Sequence, residues 1–410
     1  MKIKIKIRIQ HRPPSHTLVF RHLFHQRTEN SIQKISHLPV TIRTLKINHN
    51  RLTDINDLSH LVNLRFLDIC DNAISSFQGI ELLPQLHTIH AESNKVTSCS
   101  SLRNNLEHLD ASYNRIQSLD SINGLVHLKV LNLDHNEIEW INLTTSLEKL
   151  RVIRLCFNRL SNFDSIFCPN LHTLYLDNNN ISQIMGLHRL VYLKNLSLRD
   201  QDKKISGLNS IYIQGIQKLY LSGNVVDQVH KMIDFFSLEY LELCSIQLES
   251  LPYNFAQNVP NLRVLYLSDN YLKSLKPLKD LQHLKKLMLI NNDLDNIIDI
   301  TSTIHFMKNL HHLDLRWNPI TLKYYSSMPM MMNEKKRICQ YTSHEYDKNW
   351  LEKDEVFVRQ LPKQWLHRRC IFRSVVIKAC PTLKILDGLP ITKEEFNHAN
   401  NIIFKYYSDI

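Results

Sequence analysis

The chain of 410 residues contains 22 histidines and 8 cysteines, so metal binding is the first chemistry to test. His87, His90 and His108 could approach one another if they lay on neighbouring strands. Their spacing is looser than that of zinc-ligand sets. His311 and His312 are adjacent, and consecutive residues of a strand face opposite sides. The histidines therefore predict no metal site.

The sequence also lacks the common catalytic motifs. The cysteines are scattered, and none forms a Cys-x-x-Cys pair. The sequence contains no glycine-rich phosphate loop, no His-Glu-x-x-His and no Gly-x-Ser-x-Gly. Because these are the residue arrangements that common hydrolytic and nucleotide-dependent reactions need, we predict a protein that is not an enzyme and that binds no cofactor.

The apolar residues show neither a secretory signal nor a run of about 20 residues that could span a bilayer. The cysteines also lack the clustering that caps extracellular repeat proteins with disulfides. The sequence therefore predicts an intracellular protein with reduced thiols and no membrane contact.

An eleven-residue pattern, Leu-x-x-Leu-x-Leu-x-x-Asn-x-Leu, recurs thirteen times at intervals of 20 to 26 residues. The first copy carries Ile42, Leu45, Ile47, Asn50 and Leu52. A period near 22 is typical of leucine-rich repeats, and such repeats must stack because none can bury its own leucines alone. We predict an α/β repeat solenoid: a leucine-rich repeat horseshoe of about 13 repeats. Its concave side should be a parallel sheet, and its convex side should be built of short 3-10 or extended segments.

The ninth position of the pattern is asparagine in most repeats. An asparagine amide there can pair peptide groups of adjacent turns that would otherwise be buried without partners. The eighth and tenth repeats instead carry Gln201 and Ile246. Two interpretations stay open for these breaks, namely a local irregularity or a landmark where a partner docks.

Composition shifts divide the chain into four segments. They are predicted to be a flexible basic N-terminal segment, the solenoid, an irregular loop insertion and a C-terminal cap: residues 1–30, 31–320, 321–361 and 362–410. Leu361 to Ala379 has helical spacing of apolar residues, and Thr392 with Glu395 forms a capping-box signature for a further helix.

Aromatic residues are concentrated on the predicted concave face of the C-terminal half. Tyrosine, tryptophan and arginine are enriched in protein interfaces, although tyrosine also tolerates a half-buried strand. We predict a protein-binding surface formed by Tyr175, Arg199, Tyr220, Tyr240, Tyr266, Met288 and Trp317. The net charge of +11 is spread along the chain, which favours acidic partners and disfavours dedicated nucleic-acid binding.

Several runs of the C-terminal half resemble one family. Leu238–Leu243, Asn258–Leu265, Leu313–Leu322 and Leu383–Pro390, with the break at Arg199, Asp200 and Gln201, are similar to the fungal spindle-pole-body scaffold of the septation initiation network. This scaffold belongs to the mitotic exit network in budding yeasts and is centriolin-like. The resemblance implies a non-catalytic scaffold in the cytoplasm and at the spindle pole body. Its implied partners are a Ras-like GTPase with its regulator, kinases and spindle pole components.

The chain departs from that family in one respect, because only about 30 residues precede the repeats where family members carry a long disordered region. Whether a kinase activator docks through such a region therefore stays open, and two interpretations of the chain remain, a shortened paralogue and an incomplete gene model. Two alternatives keep the fold and change the function. Repeats of this length with a Cys-Pro-x-Leu cap at Cys380 also resemble regulatory subunits of a Ser/Thr protein phosphatase. The positive charge is compatible with an RNA-processing-associated leucine-rich repeat protein.

Overall fold

The computed structural model describes residues 17–19, 38–164, 166–206, 208, 210–224, 232–326 and 350–401. They fall into two compact units, Met1–Leu193 and Lys194–Ile410. Both units consist of stacked leucine-rich repeats, as the sequence predicts.

In the first unit, each repeat contributes one short strand to the main sheet, and two repeats contribute a second strand. The strands are β1 (Thr17–Val19), β2 (Thr44–Lys46), β3 (Phe66–Asp68), β4 (Thr88–His90), β5 (His108–Asp110), β6 (Val130–Asn132), β7 (Val152–Arg154), β8 (Asn162–Phe163), β9 (Thr173–Tyr175) and β10 (Gln183–Ile184). All except β8 and β10 form one parallel sheet in chain order. Leu109 pairs with Leu131, and Leu131 pairs with Ile153. The middle residue of each repeat strand from β2 to β9 is fully buried, so the sheet and the hydrophobic core have the same register.

Two features of this unit were not expected. Strand β1 lies inside the predicted flexible segment and pairs in parallel with β2, while the other residues of that segment lie outside the described part of the chain. Strands β8 and β10 pair with each other in parallel outside the main sheet. The 3-10 turns that connect other repeats, such as Asp120–Ile122, agree with the prediction.

The second unit continues the same construction. Its strands are β11 (Asn195–Ser197), β12 (Lys218–Tyr220), β13 (Tyr240–Glu242), β14 (Val264–Tyr266), β15 (Lys286–Met288), β16 (His312–Asp314), β17 (Ile385–Leu386) and β18 (Leu389–Pro390). Strands β11 to β17 are parallel in chain order, and β18 is antiparallel to β17. Its helices are α1 (Phe255–Asn258), α2 (Ile297–Ile304), α3 (Trp350–Gln360), α4 (Lys363–Ala379) and α5 (Lys393–Asn401).

The asparagine ladder predicted from the ninth position is confirmed. The Asn136 Nδ2 group donates to the carbonyl oxygens of Ala111 and Leu133 at 3.0 and 3.1 Å. Its Oδ1 atom accepts from the Ile116 amide at 2.9 Å. One buried side chain thus satisfies peptide groups of two repeats, which would each cost free energy if left unpaired.

The two breaks in the ladder are accommodated locally. Gln201 stays buried, and its Nε2 group donates to the Arg199 carbonyl at 3.0 Å. The Ile246 side chain cannot form hydrogen bonds, but the Asn270 Oδ1 atom accepts from both the Ile246 and Leu248 amides, at 3.2 and 2.9 Å. The neighbouring asparagine therefore takes over part of the missing function.

The C-terminal segments differ from the prediction at one place. The prediction of an irregular loop over 321–361 is wrong for residues 350–360, which form helix α3, while residues 327–349 lie outside the described residues. Trp350 and Asp354 are four residues apart and both buried, so they lie on one face of α3. Because the residues between them are mostly polar, the sequence did not indicate a helix with a buried face here.

The rest of this region agrees with the sequence. Helix α4 covers the stretch with helical spacing, and β17 adds to the sheet beside β16. The capping box is confirmed, because the Glu395 amide donates to Thr392 Oγ1 and the Thr392 amide donates to Glu395 Oε2, both at 3.1 Å. Gly388 has a φ of +74°, and a Cβ there would lie 3.0 Å from the Trp350 indole, so no other residue fits this turn without strain.

A buried carboxylate joins this segment to the last repeat. Asp387 is fully buried and accepts from the Leu315 amide at 2.6 Å and from the Tyr325 hydroxyl at 2.5 Å. Burial and the nearby Asp314 raise the pKa of Asp387 to about 6, although the Tyr325 hydroxyl and the Arg373 charge oppose the rise.

This raised pKa predicts a pH dependence of stability. The folded chain binds the Asp387 proton more tightly than the unfolded chain, whose carboxyl has its ordinary pKa of 3.8. The stabilisation is therefore fully present below about pH 4 and lost as the pH rises through about 6. Asp387→Asn keeps one acceptor oxygen for the Leu315 amide and cannot ionise, so it should gain stability relative to wild type as the pH rises from 4 to 7. Thermal unfolding of the wild type and of Asp387→Asn at pH 4 and at pH 7 measures this gain. A difference in melting temperature between the two proteins that does not change with pH contradicts the prediction.

Candidate protein-binding surface

Six of the seven predicted binding residues belong to the second unit. Tyr175 lies in the first unit, where it is half-buried beneath the Arg154 guanidinium at 5.0 Å from the ring centroid. No group of three potential ligands in the described residues is arranged to hold a metal ion. His90, one of the histidines considered for such a site, packs edge-on against Phe66 at 5.0 Å.

The charged centre of the surface is a pair that joins the eighth and tenth repeats across the ninth. Arg199 donates from Nε and Nη2 to the two carboxylate oxygens of Glu242, each at 2.7 Å. The Arg199 guanidinium also covers the ring of Tyr220, with its Cζ atom 4.4 Å from the ring centroid. Glu242 is fully buried and Arg199 is 20% exposed. Because removing one partner would leave a buried charge unpaired, this pair holds the surface together and is not itself a free binding group.

Three tyrosines, Tyr220, Tyr240 and Tyr266, form a row across β12, β13 and β14 that we call the tyrosine cluster. Their ring centroids are 4.7 Å apart for Tyr220 and Tyr240, and 5.6 Å apart for Tyr240 and Tyr266. The Tyr240 hydroxyl donates to Glu242 Oε2 at 3.2 Å. Burial raises the pKa of Tyr240, and Glu242 adds to the rise, so the hydroxyl remains a donor.

Burial divides the predicted residues into two groups. Tyr266 and Met288 are only 3% and 2% exposed and pack with Cys244 and Ile290 in a small apolar cluster on the strand face. The half-buried residues are Tyr220 and Tyr240. These two are thus the tyrosines of the cluster that a partner could reach, while Tyr266 and Met288 belong to the buried apolar cluster that packs against Tyr240.

Trp317 is also half-buried, but it is anchored to the C-terminal segment. Its indole Nε1 donates to the Ser326 carbonyl at 2.9 Å, and its ring meets Trp350 edge-on at 6.3 Å. The indole therefore contributes a rigid border to the strand face.

Lys286 and Glu242 belong to this surface and were not among the predicted binding residues. The Lys286 Nζ atom lies 5.1 Å from the Tyr266 ring centroid. Burial lowers the pKa of Lys286 to about 8, against the opposing effect of Asp314. Both residues occupy strand-face positions of the repeat, but only the neighbours across the sheet reveal that they are drawn into the cluster.

Comparison with known proteins agrees with the repeat architecture. A family described as leucine rich repeats (two copies) matches residues 104–144 and 148–187, and the family leucine rich repeat matches residues 261–284. A solved leucine-rich repeat protein of Leptospira interrogans is 26% identical with a TM-score of 0.59, over 68% of this chain and 73% of that chain. Within the described residues, no helix has the length and apolarity to cross a membrane.

Two curated relatives extend over most of the sequence. Lumican of Mus musculus is 28% identical over 75% of this chain and 81% of its own length. The septation initiation network scaffold protein cdc11 of Schizosaccharomyces pombe is 30% identical over 89% of this chain. The aligned part spans 38% of the length of cdc11. The chain is therefore a leucine-rich repeat protein, and over nearly its whole length it is similar to part of a septation initiation network scaffold protein.

Proposed function

We propose that the chain is a non-catalytic, protein-binding scaffold of a septation initiation or mitotic exit network, located in the cytoplasm and at the spindle pole body. The observation that carries this proposal is the 30% identity over 89% of the chain with the scaffold cdc11. The proposed partners are a Ras-like GTPase and its regulator, kinases and spindle pole components.

The tyrosine cluster is the proposed docking site in the second unit. Tyr220 and Tyr240 present aromatic surface that is pre-positioned by ring contacts and by the hydrogen bond to Glu242. Rigid aromatic anchors of this kind contribute much of the binding free energy in protein interfaces, because little side-chain entropy is lost when they are covered. Arg199 and Trp317 hold the two flanks of the same face.

Localisation tests the proposed function. A fluorescent fusion of the full chain, expressed in dividing S. pombe cells, should concentrate at the spindle poles during mitosis. An even distribution through mitosis contradicts the proposal.

A matched pair of variants tests the docking site. Tyr220→Ala combined with Tyr240→Ala should reduce the pole signal at least several-fold, because truncating central anchors typically costs about 2 kcal/mol or more of binding. Tyr253→Ala is the control, since Tyr253 is 91% exposed on the turn before α1 and should leave the signal unchanged. Circular dichroism of the purified proteins checks folding. A folded double variant that keeps the full signal would place docking elsewhere.

A further inference from the structure

The first unit carries a continuous stack of three aromatic rings, formed by Tyr113, His135 and Phe157 and called here the ring stack. The centroids of Tyr113 and His135 are 4.0 Å apart with planes 11° from parallel, and those of His135 and Phe157 are 4.1 Å apart with planes 9° from parallel. All three occupy the eighth position of consecutive repeats, beside the asparagine ladder. Tyr113 and Phe157 are 50% and 45% exposed.

The backbone at these positions is unfavourable for tyrosine and phenylalanine. Tyr113, His135 and Phe157 have φ values of 54°, 56° and 56°. This left-handed region suits glycine, asparagine, aspartate and histidine, whereas a bulky side chain such as that of Tyr113 or Phe157 marks strain that often serves a function. The adjacent repeats use Ser93 and Asn178 at the same position, with the same backbone conformation. The turn itself therefore does not need an aromatic ring.

A fourth aromatic residue at this position shows the contrast. Trp317 has a φ of 61°, but its indole donates to the Ser326 carbonyl and packs against Trp350, so its ring has a structural role. The outer rings of the stack instead leave about half of their surface to solvent. Burial lowers the pKa of His135, so the central imidazole is uncharged at neutral pH and the stack is apolar.

The tenth position of the repeat, two residues after the ring-stack position, is basic in the third, fourth and sixth repeats and is Glu137 in the fifth. Arg115 and Arg159 follow Tyr113 and Phe157 by two residues in the same turns, and Lys95 holds the equivalent place one repeat earlier. All three are exposed. Arg159 also contacts Glu137, with Nη1 3.3 Å from Oε2. An apolar stripe with a basic border is complementary to a peptide that combines an apolar side chain with carboxylates.

We propose that the ring stack is a docking site for an acidic peptide segment of a partner protein. An aromatic or aliphatic side chain of the peptide packs against Tyr113 and Phe157, and flanking aspartates or glutamates pair with Arg115 and Lys95. The site belongs to the first unit and shares no residue with the tyrosine cluster of the second unit. The two proposed sites can therefore be tested independently.

Panning a random peptide phage library on the purified full chain tests the site. The enriched peptides should carry an aromatic or aliphatic residue next to Asp or Glu, and their binding should weaken as salt increases. No enrichment, or enrichment of basic or uncharged peptides, overturns the proposal.

Variants then locate the binding of the enriched peptides. Tyr113→Asn with Phe157→Asn should weaken binding at least tenfold and keep the fold, because asparagine tolerates a positive φ better than an aromatic residue. Arg115→Gln with Lys95→Gln should weaken binding and reduce its salt dependence. Tyr253→Ala, at a residue of the second unit that is 91% exposed and belongs to neither site, is the control and should leave peptide binding unchanged. Equal binding by the ring-stack variant, or loss of binding only in the control, overturns the proposal.

Discussion

Leu131→Ala is expected to lower the free energy of unfolding by about 2 to 5 kcal/mol, because the change removes buried methyl groups and leaves a cavity between repeats. Leu131 is the central residue of β6, is fully buried, and is in register with Leu109 and Ile153 of the neighbouring strands. A stack of repeats has few ways to collapse around such a gap, since each repeat is held by the repeats on both sides. Urea unfolding followed by circular dichroism measures the effect.

The matched control is Lys129→Ala in the same repeat. Lys129 is half-exposed, and its Nζ atom forms an ion pair with Glu107 at 2.7 Å. Exposed pairs of this kind contribute about 1 kcal/mol or less. If Leu131→Ala shifts the unfolding curve no further than Lys129→Ala does, the repeat register is wrong.

The repeat register could be predicted because it is specified locally and many times over. The leucines that fill the core recur at the same three positions of each strand segment, so the buried face of every repeat is defined within eleven residues. The ninth-position asparagine could be assigned in the same way, because the turn it satisfies, seen at Asn136, is made by neighbouring peptide groups.

A second series of asparagines was missed, although its signal is visible in the sequence. Residues immediately before the first leucine of a repeat donate from Nδ2 to a carbonyl of the preceding repeat. The distances are 3.0 Å for Asn63 to Val40, 2.8 Å for Asn105 to Pro84, 2.9 Å for Asn170 to Glu148, 2.7 Å for Asn261 to Phe236 and 2.8 Å for Asn309 to Gln282. This position carries asparagine in only some repeats, so its periodicity is weak.

The binding surface was harder to predict because its contacts run across the sheet. Arg199 and Glu242 are 43 residues apart, and nothing in either repeat alone indicates that the arginine reaches over Tyr220. The burial of Tyr266 and Met288 likewise depends on the sizes of side chains on adjacent strands. The position of each residue within its repeat predicted which residues share a face of the sheet, but not which of them remain accessible to a partner.

Helix α3 in the C-terminal segment could not be predicted for the same reason, because its burial depends on contacts with residues far away in the sequence. Its sequence is mostly polar, and its buried face consists of one tryptophan and one carboxylate. That carboxylate, Asp354, is buried only because Arg369 of helix α4 pairs with both of its oxygens, at 3.0 and 2.7 Å. The Arg369 guanidinium also donates to the Tyr324 carbonyl at 3.0 Å and covers the Tyr325 ring at 4.5 Å. A buried charge pair of this kind joins α3, α4 and the end of the last repeat.

Arg369→Ala is therefore expected to lower the free energy of unfolding of the second unit by about 3 to 5 kcal/mol, because it leaves the Asp354 charge buried without its partner. Asp354 and Arg369 are 8% and 6% exposed, so water cannot replace the lost contact without opening the helices. The double change Arg369→Met with Asp354→Leu removes both charges and keeps apolar volume, and it should recover most of the stability. Urea unfolding of the wild type, Arg369→Met, Asp354→Leu and the double variant forms a complete cycle. A single variant as stable as wild type, or a double variant no better than Arg369→Ala, would show that the pair does not hold this segment to the repeats.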